Sequence, residues 1–460
     1  MLLLTGSRDS GMARAREKAA LAAASLGFAI VQLDVSVVNV AVRSIGADLG
    51  AGIGSLQWVV DAYTVAFAAL ILTAGALGDR FGAPRMLLAG FGVFTLASMA
   101  CGLAPSAGTL IAFRAVQGTG AAALGACSLA LISRTFPDLA RRARALGVWS
   151  VTGSVAMAAG PLAGGLLIAA DGWRAIFFIN LPVGVIGSWL TTRCRDEVDD
   201  RGGALDLRGQ VAATAALALL AAATIEAGMD GLTLTVIIGY VLAAAAAVIF
   251  VSGEWRSAHP MLPLWLFRKR AFSAAVAVGS SQNVLYYGLI FVFSLFLQRA
   301  EGLSALETGT VFLPLMIFLM AGNTVSARLL KSHGPRPIIG CGGLIVAAAS
   351  VSLWLSVPAG TMTRSAGLTA ALTAGLSVVS FGMGLAMPAM TSAVLGSADA
   401  SRAGIASGTL TAFRQSGSVL GVAVFGAFLG AGLASGLRAS FLAAVLLAIT
   451  IAALSRLTGR

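Results

Sequence analysis

Charge is scarce in this chain of 460 residues: Asp, Glu, Lys and Arg make up only 11% of it, against 58% apolar residues. A water-soluble core of this length does not need so much apolar surface, and a mean hydropathy of +0.91 points to an integral membrane protein. Lysine is scarcer still. Lys18, Lys269 and Lys331 are the whole set, and none stands in a G-x-x-x-x-G-K-[ST] phosphate cradle, so a nucleotide-driven pump is excluded. The two histidines, His259 and His333, fall in loops between apolar runs, which argues against a histidine proton relay within the membrane. Cys101, Cys127, Cys194 and Cys341 are dispersed, without disulfide or metal spacing, and read as small packing residues. Gly118-Thr119-Gly120 imitates part of a dinucleotide loop, but it lies inside an apolar run and follows no strand, so it reads as close helix packing. No cofactor, no metal and no soluble catalytic domain are expected, and any energy source should be an ion gradient acting on carboxylates.

What the chain has in abundance is apolar runs of about 20 residues, the length that crosses ~30 Å of hydrocarbon at ~1.5 Å per helical residue. Fourteen spans are predicted, near 19–42, 56–78, 86–104, 109–133, 145–169, 174–192, 208–227, 232–252, 272–298, 306–327, 337–357, 366–394, 403–431 and 437–456. The net charge of +12 is distributed by side. Alternating the loops puts Arg80, Arg85, Arg134, Arg141, Arg142, Arg144, Arg193, Arg195, Arg201 and Arg208 on one face, with Arg256, Arg268, Lys269, Arg270, Arg328, Lys331, Arg336 and Arg402 beyond them. The other face holds Arg43, Arg174, Arg299, Arg364 and Arg438. The positive-inside bias makes the rich face cytoplasmic, with both termini inside, so the basic character reports topology and not a nucleic-acid partner. Residues 1–18 are expected as a cytoplasmic tail before a retained first helix, with Met12 a second candidate start.

Between the second and third spans lies Gly75-Ala76-Leu77-Gly78-Asp79-Arg80-Phe81-Gly82-Ala83-Pro84-Arg85, a charged turn too polar for hydrocarbon and too short for a domain. A weaker echo follows the tenth span, Arg328-Leu329-Leu330-Lys331-Ser332-His333-Gly334-Pro335-Arg336, where Lys331 stands in place of Asp79. Parallel repeats place equivalent loops on one side. The expected organisation is a tail (1–18), a six-helix bundle (19–195), a linker with two extra membrane helices (196–255) and a second six-helix bundle (256–460).

Ionisable residues inside the spans are few and costly: Asp34, Asp61, Arg114, Glu226 and Arg414. Counted from the predicted ends, Asp34, Asp61 and Arg114 lie within roughly 8–14 Å of the sparse face and could form one cluster. Asp61 could equally reach the interface, and Glu226 reads as interfacial. Arg414 lies near the midplane without a carboxylate in its own half; it pairs with Asp34 across a cavity, with an anionic substrate group, or with carbonyls and water. Gln32, Asn39, Tyr63, Gln117, Gln282, Asn283, Tyr286 and Phe291 are candidate cavity-lining residues, and the three polar ones on the ninth span could instead bridge helices.

Several segments taken together resemble the fourteen-helix drug:proton antiporter branch of the major facilitator superfamily over nearly the whole chain. They are the charged turn, with Gly75, Asp79, Arg80, Gly82 and Arg85; Leu33-Asp34-Val35-Ser36-Val37-Val38-Asn39-Val40-Ala41; Gln57-Trp58-Val59-Val60-Asp61-Ala62-Tyr63; Arg114-Ala115-Val116-Gln117-Gly118-Thr119-Gly120; and Gly153 with Gly160-Pro161-Leu162-Ala163-Gly164-Gly165. Asn323-Thr324-Val325-Ser326-Ala327-Arg328 resembles methylenomycin-resistance-type exporters in particular. Arg43 departs from the proline usual after the first motif, and Ala83-Pro84 from the usual basic pair.

The resemblance implies an all-α membrane protein with two six-helix bundles and two inserted helices. It implies export of drugs or other small amphipathic molecules in exchange for protons, with Asp34, Arg114 and Asp61 in proton coupling. It makes the turn a conformational gate and the Gly/Pro segment an antiporter motif, in a multi-pass protein of the inner membrane acting as a monomer. An uptake symporter of the same fold, and a non-transporting sensor or scaffold, are the alternatives. The substrate is not readable.

Overall fold

A computed structural model describes residues 3–136, 138–194, 207–257, 262, 264–358, 365–397 and 403–458. Arg195, Arg201, His259, Arg364 and Arg402 lie outside the described residues. The described residues form fifteen α-helices and no strand. Thirteen of the helical spans are long and apolar enough to cross a membrane. The predicted sixth span is divided into α6 (Ala175–Phe178) and α7 (Asn180–Thr191). Pro182 offers no N–H to the carbonyl of Phe178, four residues before it, so the hydrogen-bond ladder lapses at Ile179 although its φ of −59° stays helical. Helix α1 (Leu3–Leu49) begins inside the stretch expected as a tail. Its Ala, Arg, Glu and Lys residues before the apolar run are good helix formers and carry the helix on past the hydrocarbon.

The first bundle comprises α1, α2 (Ile53–Phe81), α3 (Ala83–Gly102), α4 (Ala107–Thr135), α5 (Leu139–Asp171) and the α6–α7 pair. Within it α2 packs on α4, α1 on α5 and α3 on α4. The second comprises α10 (Arg270–Arg299), α11 (Ala305–His333), α12 (Pro335–Ser356), α13 (Ala366–Ser397), α14 (Ala403–Phe428) and α15 (Leu433–Ser455), with α10 on α14, α11 on α13 and α12 on both α13 and α15. Between them α8 (Leu207–Asp230) and α9 (Leu234–Arg256) form a hairpin whose α8 lies against both α2 and α14.

The two charged turns share one geometry. Gly82 closes α2 and opens α3 at φ 94°, a conformation in which a Cβ would be strained, and Pro84 sits in the first turn of α3. Gly334 and Pro335 repeat this between α11 and α12. Burial pushes the thiol of Cys194, just beyond α7, up to about 11, which leaves it a poor nucleophile.

The core is not shared evenly between the two ends of the molecule. Toward the arginine-poor end, one continuous apolar cluster joins the bundles, running from Val38, Val42 and Leu56 to Leu289, Phe293 and Phe425. Toward the arginine-rich end the apolar clusters are separate: one is built from first-bundle helices with only Ala412 crossing over, the other from second-bundle helices alone.

Candidate functional site

Arg114 lies two turns into α4 and is buried. Its Nη1 donates to Asp34 Oδ2 at 2.5 Å and to Gln117 Oε1 at 2.7 Å, and its Nε donates to the carbonyl of Val59 at 3.0 Å. The guanidinium carbon stands 4.2 Å from the centroid of the Tyr63 ring. The other oxygen of Asp34 accepts from Gln117 Nε2 at 2.8 Å and from Asn180 Nδ2 at 3.1 Å. Those two amides meet again on Ser98 Oγ, at 2.6 Å and 3.0 Å. Five helices thus hold one ion pair. A charge buried in this way is tolerable only when its hydrogen-bonding capacity is filled, and both oxygens of Asp34 are engaged.

Asp61 does not join this cluster. Val59 and Tyr63 present the α2 face that meets Arg114, and at ~100° per residue Asp61, two positions from each, points to the opposite side. There its neighbours Trp58 and Val65 pack against Leu217, Ala218 and Ala221 of α8 and Val419 of α14. Asp61 is fully buried, not interfacial, and neither carboxylate oxygen has a hydrogen-bond partner among the described residues. Glu226, near the end of α8, is half-buried.

The expected cavity residues divide by location. Gln117 and Tyr63 belong to the ion-pair cluster. Phe291 is fully buried in the shared apolar core, and Gln282 bridges α10 to α13 by donating to the Met383 carbonyl at 3.1 Å, so packing occupies both. Gln32 contacts Met157 Sδ across to α5, while Asn39 and Tyr286 line a crevice between the bundles. Asn283 donates to Ser418 Oγ at 2.9 Å and accepts from Arg414 Nε at 3.3 Å. Arg414 does not reach Asp34, whose oxygens are already taken.

Asp79 is exposed at the arginine-rich end and pairs with Arg134 of α4 at 2.9 Å, not with Arg80 or Arg85 of its own turn. Arg80 lies instead over the Phe81 ring. Two residues before the end of α2, the Asp79 side chain points back along the helix toward the adjacent end of α4, a neighbour that loop spacing cannot reveal.

The Gly/Pro segment of α5 packs on two helices. Pro161 deprives the Met157 carbonyl of its helical donor, and Ser36 Oγ of α1 supplies the missing bond at 2.8 Å. Gly153, Gly160 and Gly164 lie against Phe28, Ser36 and Val37 of α1. Gly165 faces the second bundle, where a Cβ would come within 2.6 Å of the Leu306 Cα. Three further contacts tie the bundles at this end: Ser294 Oγ to the Asn39 carbonyl at 2.6 Å, Arg43 Nη1 to the Leu303 carbonyl at 3.4 Å, and Gln57 Nε2 to the carbonyls of Val422 and Ala423 at 3.2 Å and 3.1 Å.

Sequence reasoning missed Ser98 and Asn180 in the ion-pair cluster. Asn180 carried a signal, a lone amide near a proline in an apolar span. Ser98 carried none.

Residues 24–422 match the family described as Major Facilitator Superfamily. The chain is 37% identical over 410 residues to the Methylenomycin A resistance protein of Streptomyces coelicolor, covering 89% of this chain and 85% of that one. It is 36% identical to the Multidrug resistance protein Stp of Mycobacterium tuberculosis, covering 89% of this chain and 75% of that one. Among solved structures, a bacterial homologue of the human lysosomal transporter Spinster, inward-facing and unoccupied, superposes with a TM-score of 0.67 at 18% identity, covering 96% of this chain and 97% of that one. A D-xylose-proton symporter gives the same TM-score at 14% identity, covering 95% and 97%.

Proposed function

The chain belongs to the Major Facilitator Superfamily, and from that premise we propose that it is a non-enzymatic, proton-coupled exporter of drugs or other small amphipathic molecules, working by alternating access. Both resistance proteins cited above support export. The fold alone does not set direction, because a symporter shares it. The proposed setting is the cytoplasmic membrane, with the arginine-rich end and both termini inside and a monomer as the working unit. On that orientation the apolar cluster shared by the bundles seals the outer end, while the inner clusters stay separate, as in an inward-facing carrier. Asp79 and Arg134, both in the first bundle, are then the resting arrangement of an inner gate that engages the second bundle when the inner end closes.

The observation that carries the coupling reading is the buried Asp34–Arg114 pair. A proton arriving on Asp34 removes the negative charge that Arg114, Gln117 and Asn180 all serve. Arg114 keeps Val59, Gln117 and the Tyr63 ring, and the tie from α1 to α4 and α7 weakens. Protonation is thereby converted into freedom of α1, the helix that also carries the contacts to α5 and α10. Asp61 is a second carboxyl for the coupling path. With no donor at either oxygen among the described residues, it can carry charge only when water or a moving helix reaches it.

Asp34→Asn tests this. Everted vesicles bearing the variant should lose export driven by an imposed proton gradient, while the protein remains inserted and monodisperse; wild-type export by Asp34→Asn overturns the assignment. The same vesicles report direction, because a symporter would move substrate with the proton.

A further inference from the structure

Among the described residues, Arg414 is a second-bundle cation deep in its helix with no carboxylate partner. It lies well inside α14, where an unpaired guanidinium is costly to retain unless something answers its charge. The ion pairs among the described residues are Arg114–Asp34, Arg134–Asp79, Arg141–Glu17 and Arg174–Asp48, and none involves it. Its Nε is spent on a neutral acceptor, Asn283 Oδ1. The second-bundle carboxylates among the described residues, Glu301 and Glu307, stand at the opposite end of α10 and at the start of α11, each engaged in capping a helix. Asp34 is saturated by its own bundle. Arg414 is only half-buried, so its fork is open to an incoming group.

A narrow crevice runs between α1, α5, α10 and α11, lined by Val35, Asn39, Pro161, Tyr286, Tyr287 and Met316. Tyr287 lines this crevice one helical turn along α10 from Asn283, the acceptor of Arg414 Nε. A ligand matching this arrangement has an apolar body of modest size and one anionic oxygen pair. We propose that Arg414 recognises the carboxylate of an amphipathic organic acid, so that the substrates of this carrier are acids taken in their ionised form. The inference rests on the transport reading above and adds the substrate's charge. It also fits the energetics of export. A weak acid crosses the bilayer as the neutral species and ionises in the cytoplasm, and a carrier that selects the anion removes the form that cannot leak back. Exchange of one anion outward for one proton inward moves net positive charge inward, so both the proton gradient and an inside-negative potential drive it.

The test uses purified full-length protein and three labelled probes: 1-naphthaleneacetate, its uncharged amide, and tetraphenylphosphonium. Binding by scintillation proximity should favour the acid in the wild type. Arg414→Gln should weaken the acid by about tenfold or more, Arg414→Lys should restore much of it, and binding of the amide should be unchanged in both. Unchanged acid binding in Arg414→Gln, simultaneous loss of the amide, or a wild-type preference for the cation or for none of the three overturns the proposal. Proteoliposomes separate the two readings. Arg414-dependent acid efflux that ignores an imposed proton gradient supports this inference and overturns proton coupling; gradient-driven efflux of the cation alone does the reverse.

Discussion

Arg114 in the first bundle and Arg414 in the second are both held inside the membrane, but the first is enclosed by an aspartate, a glutamine, a backbone carbonyl and an aromatic face, while the second has one neutral amide at its Nε. The same residue type is thus used in two ways. Where the counter-charge belongs to the chain, the arginine is fixed in place, which in the proposed mechanism makes it part of a switch that a proton operates. Where it is missing, the proposal has the counter-charge arrive with the cargo. On the proposed reading the division follows the bundles: proton chemistry in the first, substrate charge in the second, with the crevice between them touched by α1 and α10 together.

The largest expected effect breaks this comparison if it fails. Arg114→Leu leaves Asp34 buried without its counter-ion and should destabilise the protein by about 3–5 kcal/mol, seen as a large fall in the thermal unfolding temperature of the detergent-solubilised protein. Arg414→Leu removes an uncompensated cation and should leave that temperature unchanged or raised. Equal losses for the two variants would mean that Arg414 has a structural counter-charge after all.

How far this asymmetry was legible in the sequence differs from residue to residue. The spans were legible because hydrocarbon demands long apolar runs, and Asp34 with Arg114 because so few charges interrupt them. The separation of Asp61 from that pair followed from helical angle, but only once Val59 and Tyr63 were known to face Arg114. Ser98 and Asn180 were hidden because a single polar residue in an apolar helix does not declare its partner. Arg134 as the partner of Asp79, and the sealing of one end, depend on how whole helices lean, which no local pattern encodes.

An intermediate effect sharpens the comparison within the amides. Asn180 donates to an ionised carboxylate and Asn283 serves neutral groups apart from Arg414 Nε. Asn180→Leu should cost about 1.5–3 kcal/mol, the range for bonds to charged groups, and should shift the pH dependence of transport because one donor to Asp34 is gone. Asn283→Leu also removes a bond to a charged group, that of Arg414 Nε, and should cost a similar amount, about 1.5–3 kcal/mol, but leave the pH profile in place. Parallel pH profiles for the two variants would remove Asn180 from the proton switch.

The smallest stability effect belongs to the turns. Asp79 and Arg134 form an ion pair whose side chains are 70% and 29% exposed, so water and salt screen most of its attraction, and Asp79→Asn should change stability by only about 0–1 kcal/mol. Transport is a different matter if the turn is a gate: losing the carboxylate removes an interaction made in the state with the inner end closed, which is not the state seen here. Spin labels at the inner ends of α2 and α14 should then show a smaller closed population in Asp79→Asn than in the wild type. The matching turn of the second bundle has the same glycine geometry but places Lys331 where Asp79 stands, so Lys331→Asn should leave the distance distribution unaltered. A shift of equal size from both substitutions would make the gate two-sided and remove the functional difference between the turns, while the difference between the two buried arginines would remain.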